Sequence, residues 1–145
     1  MRSNGSPRRL KLVTAMMCAG LFTIAAASSF GKDMAVTLSG DQEVPPVTTA
    51  ASATGTITVN DDKTVSGSIM TKGISATAAH IHEGSKGKNG PVIIPLTKSG
   101  DNTFTVAAGA KLSDAQLESL KAGNLYVNVH SAANPGGEVR AQIAP

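Results

Sequence analysis

Between Leu125 and His130 every second side chain is apolar: Leu125, Val127 and Val129 alternate with Tyr126, Asn128 and His130. Only an extended strand places i and i+2 on one side. This segment is therefore expected to form a strand with one face in a core and the other carrying Tyr126, Asn128 and His130. The same alternation runs from Ala79 to Glu83, where Ile81 faces one way and His80 and His82 face the other. His80, His82 and His130 are the only histidines in the 145-residue chain. A His-x-His pair joined by a third histidine from a neighbouring strand forms a compact three-nitrogen site for a metal ion.

The remaining periodicity extends this pattern. Residues 35–38, 54–59, 64–71, 76–83, 91–96, 104–106, 124–131 and 138–143 read as short strands. Turn-forming stretches separate them, such as Asn60-Asp61-Asp62-Lys63 and Asn134-Pro135-Gly136-Gly137. Pro45 and Pro46 stop regular pairing after the first strand. One helix is expected near Ser113, where Ser113 and Gln116 make a capping box, Leu117 and Leu120 give an apolar side, and Gly123 suits the end. The fold class is all-β: an antiparallel Greek-key β-sandwich or barrel with one short helix, in a single domain.

The N-terminal stretch has a different character. Arg2, Arg8, Arg9 and Lys11 precede an apolar run from Leu12 to Ala27 that ends in small residues, the order of a secretory signal peptide. The run is short for a membrane span. We read residues 1–27 as the signal peptide, 28–33 as a flexible leader and 34–145 as the β domain. Arg8-Arg9 also fits a twin-arginine signal, so either export route is open. The expected location is periplasmic or extracellular, with no membrane association after cleavage. Without those four basic residues, nine basic and ten acidic residues remain, so the basic pI of about 9.2 belongs largely to the leader. With no basic patch interleaved with aromatics, nucleic acid is not an expected partner. Cys18, the single cysteine, lies inside the apolar run, follows Met17 and lacks a lipoprotein context. The mature domain therefore has no disulfide.

Other chemistry is sparse. The glycine-rich loop 84–90 fails as a phosphate loop, because His82 stands where the leading glycine should be. No serine sits in a nucleophile elbow, so no catalytic residue is assigned. Asp61 and Asp62 solvate a turn. Glu83 points away from the histidines, and Met70 is expected to pack in the core rather than offer its thioether. Glu43 is expected to make local backbone hydrogen bonds before Pro45. Glu138 is a candidate to orient the far ring nitrogen of His130 across the last hairpin, with a surface Glu138–Arg140 pair as the alternative.

The stretches 38–46, 79–84, 90–92 and 127–143 resemble, in order, the chordin-type or CHRD domain family. The resemblance implies an exported all-β domain of immunoglobulin-like or barrel form. His80-Ile81-His82-Glu83-Gly84 and Val129-His130 also resemble, more distantly, the copper-binding strands of copper–zinc superoxide dismutase. That resemblance implies His80, His82 and His130 as copper ligands and an arginine like Arg140 nearby. The chain lacks that family's further bridging histidine and its cysteine pair.

Together these features point to an exported protein that binds one copper ion through His80, His82 and His130, for copper buffering, transfer or tolerance, with a protein partner for metal transfer. Cu(II) stands highest in divalent affinity, and zinc or another divalent metal suits the same ligands. Two alternatives remain: an extracellular protein-binding or adhesive module whose histidines are structural, and a copper-only, dismutase-like redox enzyme.

Overall fold

The computed structural model describes residues 31–145. The expected signal peptide and the start of the leader lie outside them. Eight antiparallel strands form one sheet: β1 (Lys32–Leu38), β2 (Ser52–Val59), β3 (Val65–Lys72), β4 (Ala76–Glu83), β5 (Val92–Gly100), β6 (Thr103–Val106), β7 (Leu125–Ser131) and β8 (Val139–Ile143). The helix α1 spans Asp114–Lys121. Strand β1 begins inside the range expected for the leader: Lys32 and Asp33 pair with Val59 and Thr58 in β2. The Asp33 carboxylate also accepts a hydrogen bond from the Thr58 hydroxyl at 2.6 Å.

Strand order is β1-β2-β3-β6-β5-β4-β7-β8. The run β3-β6-β5-β4 is a Greek key, with β4, β5 and β6 joined by hairpins and β3 returning beside β6. The two ends of the sheet meet where Ser39 and Arg140 exchange backbone hydrogen bonds of 3.1 Å each way. Of the sandwich and barrel forms expected, the molecule takes the nearly closed barrel. Closure removes most of the exposed strand edge that an open sheet presents.

Alternation decides what fills the interior. Leu38, Ile57, Ile69, Ile81, Phe104, Val127 and Val139 all point inward and are fully buried. Met70 does not join them. Its neighbours Ile69 and Thr71 take the inner face, so period two turns Met70 outward, where it is 63% exposed.

The capping box at α1 is formed on both sides: the Gln116 amide donates to Ser113 Oγ at 3.1 Å, and the Ser113 amide donates to Gln116 Oε1 at 2.9 Å. Leu120, with Leu117 beside it, packs on the core. Ser113→Ala should therefore cost about 1 kcal/mol in chemical denaturation. A stability equal to that of wild type would show that the box does not hold this helix end.

Candidate metal centre

Pairing of β4 with β7 brings the histidines together. The register sets Ala78 opposite His130, His80 opposite Asn128 and His82 opposite Tyr126. On the outer face the three histidines occupy adjacent lattice positions, and Asn128 lies among them. One nitrogen from each of His80, His82 and His130 lies within 4.8 Å of the others. His80 Nδ1 and His130 Nε2 are 3.0 Å apart. Two nitrogens each about 2.0–2.1 Å from one ion sit roughly 3 Å apart, so this pair is spaced as two ligands of a single ion would be. The three side chains can hold a metal ion.

Backbone carbonyls set which nitrogen faces inward. His82 Nδ1 is 2.9 Å from the Gly90 carbonyl, and His130 Nδ1 is 2.9 Å from the Pro135 carbonyl. A carbonyl only accepts, so each Nδ1 carries the proton, leaving each Nε2 with a free lone pair. His130 Nε2 then accepts from His80 Nδ1–H. An ion would replace that shared proton and move the His80 proton to its outer nitrogen.

Burial holds His80 below its ordinary pKa of 6.5, and the neighbouring His130 and His82 lower it further. Burial also lowers His82, against an opposing pull from the Gly90 carbonyl. Both rings are thus kept neutral, the form that binds metal.

Around the histidines the outer face is not a solvent surface. Tyr126, Asn128 and Arg140 are 2%, 3% and 1% exposed. The Tyr126 ring stacks parallel to His82, with centroids 4.7 Å apart, and the Arg140 guanidinium lies 3.4 Å from the Tyr126 centroid. These three residues come from three adjacent strands, with Tyr126 on the middle one. Arg140 also donates to the carbonyls of Ser85 (3.3 Å) and Lys88 (2.9 Å) and to Asn89 Oδ1 (3.3 Å). Asn89 in turn donates to the Val44 carbonyl at 2.8 Å. Loops 39–47 and 84–90 are drawn over the sheet in this way, and the second of them delivers Gly90 to His82.

Two expected roles are corrected. Glu138 does not orient His130: its carboxylate accepts from Thr49 Oγ1 at 2.7 Å and from Ser131 Oγ at 2.5 Å, and the Pro135 carbonyl takes its expected place. These hydroxyls hold its pKa below the usual carboxylate value. Arg140 forms no pair with Glu138; its buried guanidinium is spent on Tyr126 and loop 84–90. Glu83 lies off the site as expected, accepting from Ser119 Oγ at 2.5 Å.

Glu43, read from sequence as a local backbone partner, is also a buried member of this layer, 4% exposed. Burial raises its pKa, while Arg140, the Asn128 side chain and the Val44 amide pull it back down. Tyr126 and Asn128 shared the His130 face in the sequence pattern, and that alternation was the signal that could have named them. Glu43 gave no comparable signal, because it sits in an irregular loop.

Among the described residues no helix is long and apolar enough to cross a membrane. The sequence model of the CHRD domain matches residues 34–143, nearly all of the described chain. No curated protein and no solved structure matches it.

Proposed function

The chain belongs to the CHRD domain family, whose domains are typically extracellular, and from that premise we propose an exported protein that binds one copper ion through His80, His82 and His130. Its task is copper buffering, transfer to a partner protein, or tolerance. One observation carries this reading: three imidazoles from two paired strands converge, and two are turned by backbone carbonyls so that Nε2 faces the others. Cu(II) leads among the ions suited to imidazole because it stands highest in divalent affinity, with zinc next. Cleavage of residues 1–27 and release from the membrane belong to the same reading.

A second reading has its own support. His80 and His130 satisfy each other by a hydrogen bond without any ion. In that case the domain is an extracellular protein-binding module with structural histidines.

Titration of the cleaved, untagged protein with Cu(II), followed by electron paramagnetic resonance, separates the two. One tightly bound ion with nitrogen hyperfine structure is expected. Absence of stoichiometric binding to copper, and equally to zinc, would leave the protein-binding module. Because His80 and His82 are held below 6.5, Cu(II) affinity should stay level down to about that pH and decline only beneath it. The unfolded chain takes up these protons more readily than the folded one. The two histidines therefore contribute stability that is present above 6.5 and lost as pH falls through their folded pKa values. An affinity already falling well above that pH would show that the rings are not kept neutral by burial.

A further inference from the structure

Among the described residues, three buried side-chain atoms lack hydrogen-bond partners: His82 Nε2, Asn128 Oδ1 and Glu43 Oε1. They share one layer, and with His82 Nδ1–H committed to Gly90 the His82 and Asn128 atoms present lone pairs and no proton. Buried acceptors without a donor cost free energy, and native folds rarely leave several together. A cation satisfies lone pairs where no donor is present.

The direction of the Asn128 amide follows from its surroundings. Gly137 passes this layer with φ of +129°, and a Cβ there would lie 2.5 Å from Glu43 Oε1 and 2.7 Å from Asn128 Nδ2. The nitrogen end of the amide is thus turned toward Gly137, on the same side as Glu43 Oε1. The oxygen end points the other way and, like His82 Nε2, is buried without a partner. The strand register places Asn128 directly opposite His80 and two residues before His130.

We propose that Asn128 Oδ1 is an oxygen donor of the metal centre, and that Glu43, packed with the Asn128 amide nitrogen around Gly137, is the positioning residue that keeps that oxygen aimed at the ion. This rests on the three-histidine reading. It adds a specificity: three imidazole nitrogens and one hard amide oxygen favour a divalent ion over Cu(I), which prefers softer donors.

The test compares wild type with Asn128→Leu, Asn128→Asp and Glu43→Met, using the cleaved protein loaded with copper, with thermal melts of the apo forms as a check on folding. Asn128→Leu should weaken Cu(II) binding by about 10–100-fold while leaving Cu(I) binding nearly unchanged. The Cu(II)/Cu(I) midpoint potential should then rise by about 59 mV for each tenfold lost. The Cu(II) resonance spectrum should change in the same variant. Glu43→Met should shift both readouts in the same direction by less. Asn128→Asp keeps an oxygen and adds charge, so it should tighten Cu(II) and lower the potential; it carries the test alone if the leucine variant does not fold. Wild-type affinity, potential and spectrum in Asn128→Leu, or in Asn128→Asp where leucine fails, would overturn the role of Asn128 and leave the three histidines standing. A wild-type protein that binds no metal would remove both readings.

Discussion

Replacing His82 by alanine should lower Cu(II) affinity by more than about 100-fold, since losing a group that merely orients a ligand already costs 10–100-fold. His80→Ala and His130→Ala should have effects of the same order, because three ligands on one ion act together. The three variants should differ in what they do to the fold. His82 is 8% exposed, stacks on Tyr126 and donates to the Gly90 carbonyl, so its removal opens a small cavity and leaves a carbonyl without its donor. A loss of about 1–3 kcal/mol in the apo protein is expected for His82→Ala. His80 is only partly buried, and its removal should cost less. Isothermal titration gives the affinities and chemical denaturation the stabilities. Copper binding as tight in the triple alanine variant as in wild type would place the ion elsewhere.

Arg140→Ala should be the most damaging single change to the fold outside the apolar core, at about 3–5 kcal/mol. Several losses coincide. The carbonyls of Ser85 and Lys88 and the Asn89 side chain lose their donor, Tyr126 loses the cation over its ring, and Glu43 loses its countercharge. At roughly 4 °C per kcal/mol for a domain of this size, the melting temperature should fall by more than about 10 °C. Burial raises the Glu43 pKa, so that residue stabilises the fold below its unfolded pKa and loses this contribution as pH rises through the folded value. Without Arg140 the folded value climbs further, and the deficit should therefore be larger at alkaline than at acid pH. Because Arg140 holds loop 84–90, which carries Gly90, metal affinity should fall as well. A melting temperature within a degree or two of wild type would mean that the guanidinium does not organise this layer.

The strands were legible from sequence because a period of two needs no knowledge of the partner strand. Val127 and Val129 had to point inward, which fixed Asn128 and His130 outward, and Ile81 did the same for His80 and His82. The turn at residues 60–63 and the capping box at Ser113 are equally local. What period two does not encode is which strands become neighbours. The pairing of β4 with β7, which assembles the site, skips β5, β6 and α1. Two errors, at Arg140 and Glu43, share one cause, the assumption that a polar outer face meets water. Loops 39–47 and 84–90 fold over that face, and irregular segments carry no periodic trace of where they lie. Arg140 therefore read as a surface charge and Glu43 as a local cap. Glu138 was misassigned for a narrower reason: it lies beyond the last β7–β8 pair, Val129 with Val139, where Ser131 and Thr49 reach it first. Met70 was misjudged by composition, although its own alternation with Ile69 already turned it outward.

His80 and His130 are 50 residues apart in the chain, yet their ring nitrogens touch across β4 and β7. An ion held between them would be a cross-link, in a domain whose described residues contain no cysteine to make one. Closing so long a loop removes more freedom from the unfolded chain than closing a short one. An ion bound only by the native form adds to stability with concentration, by about 4 kcal/mol at a thousand times its dissociation constant. Unlike a disulfide, such a staple is released by acid or chelators. Its holding strength would follow the copper supply of the compartment.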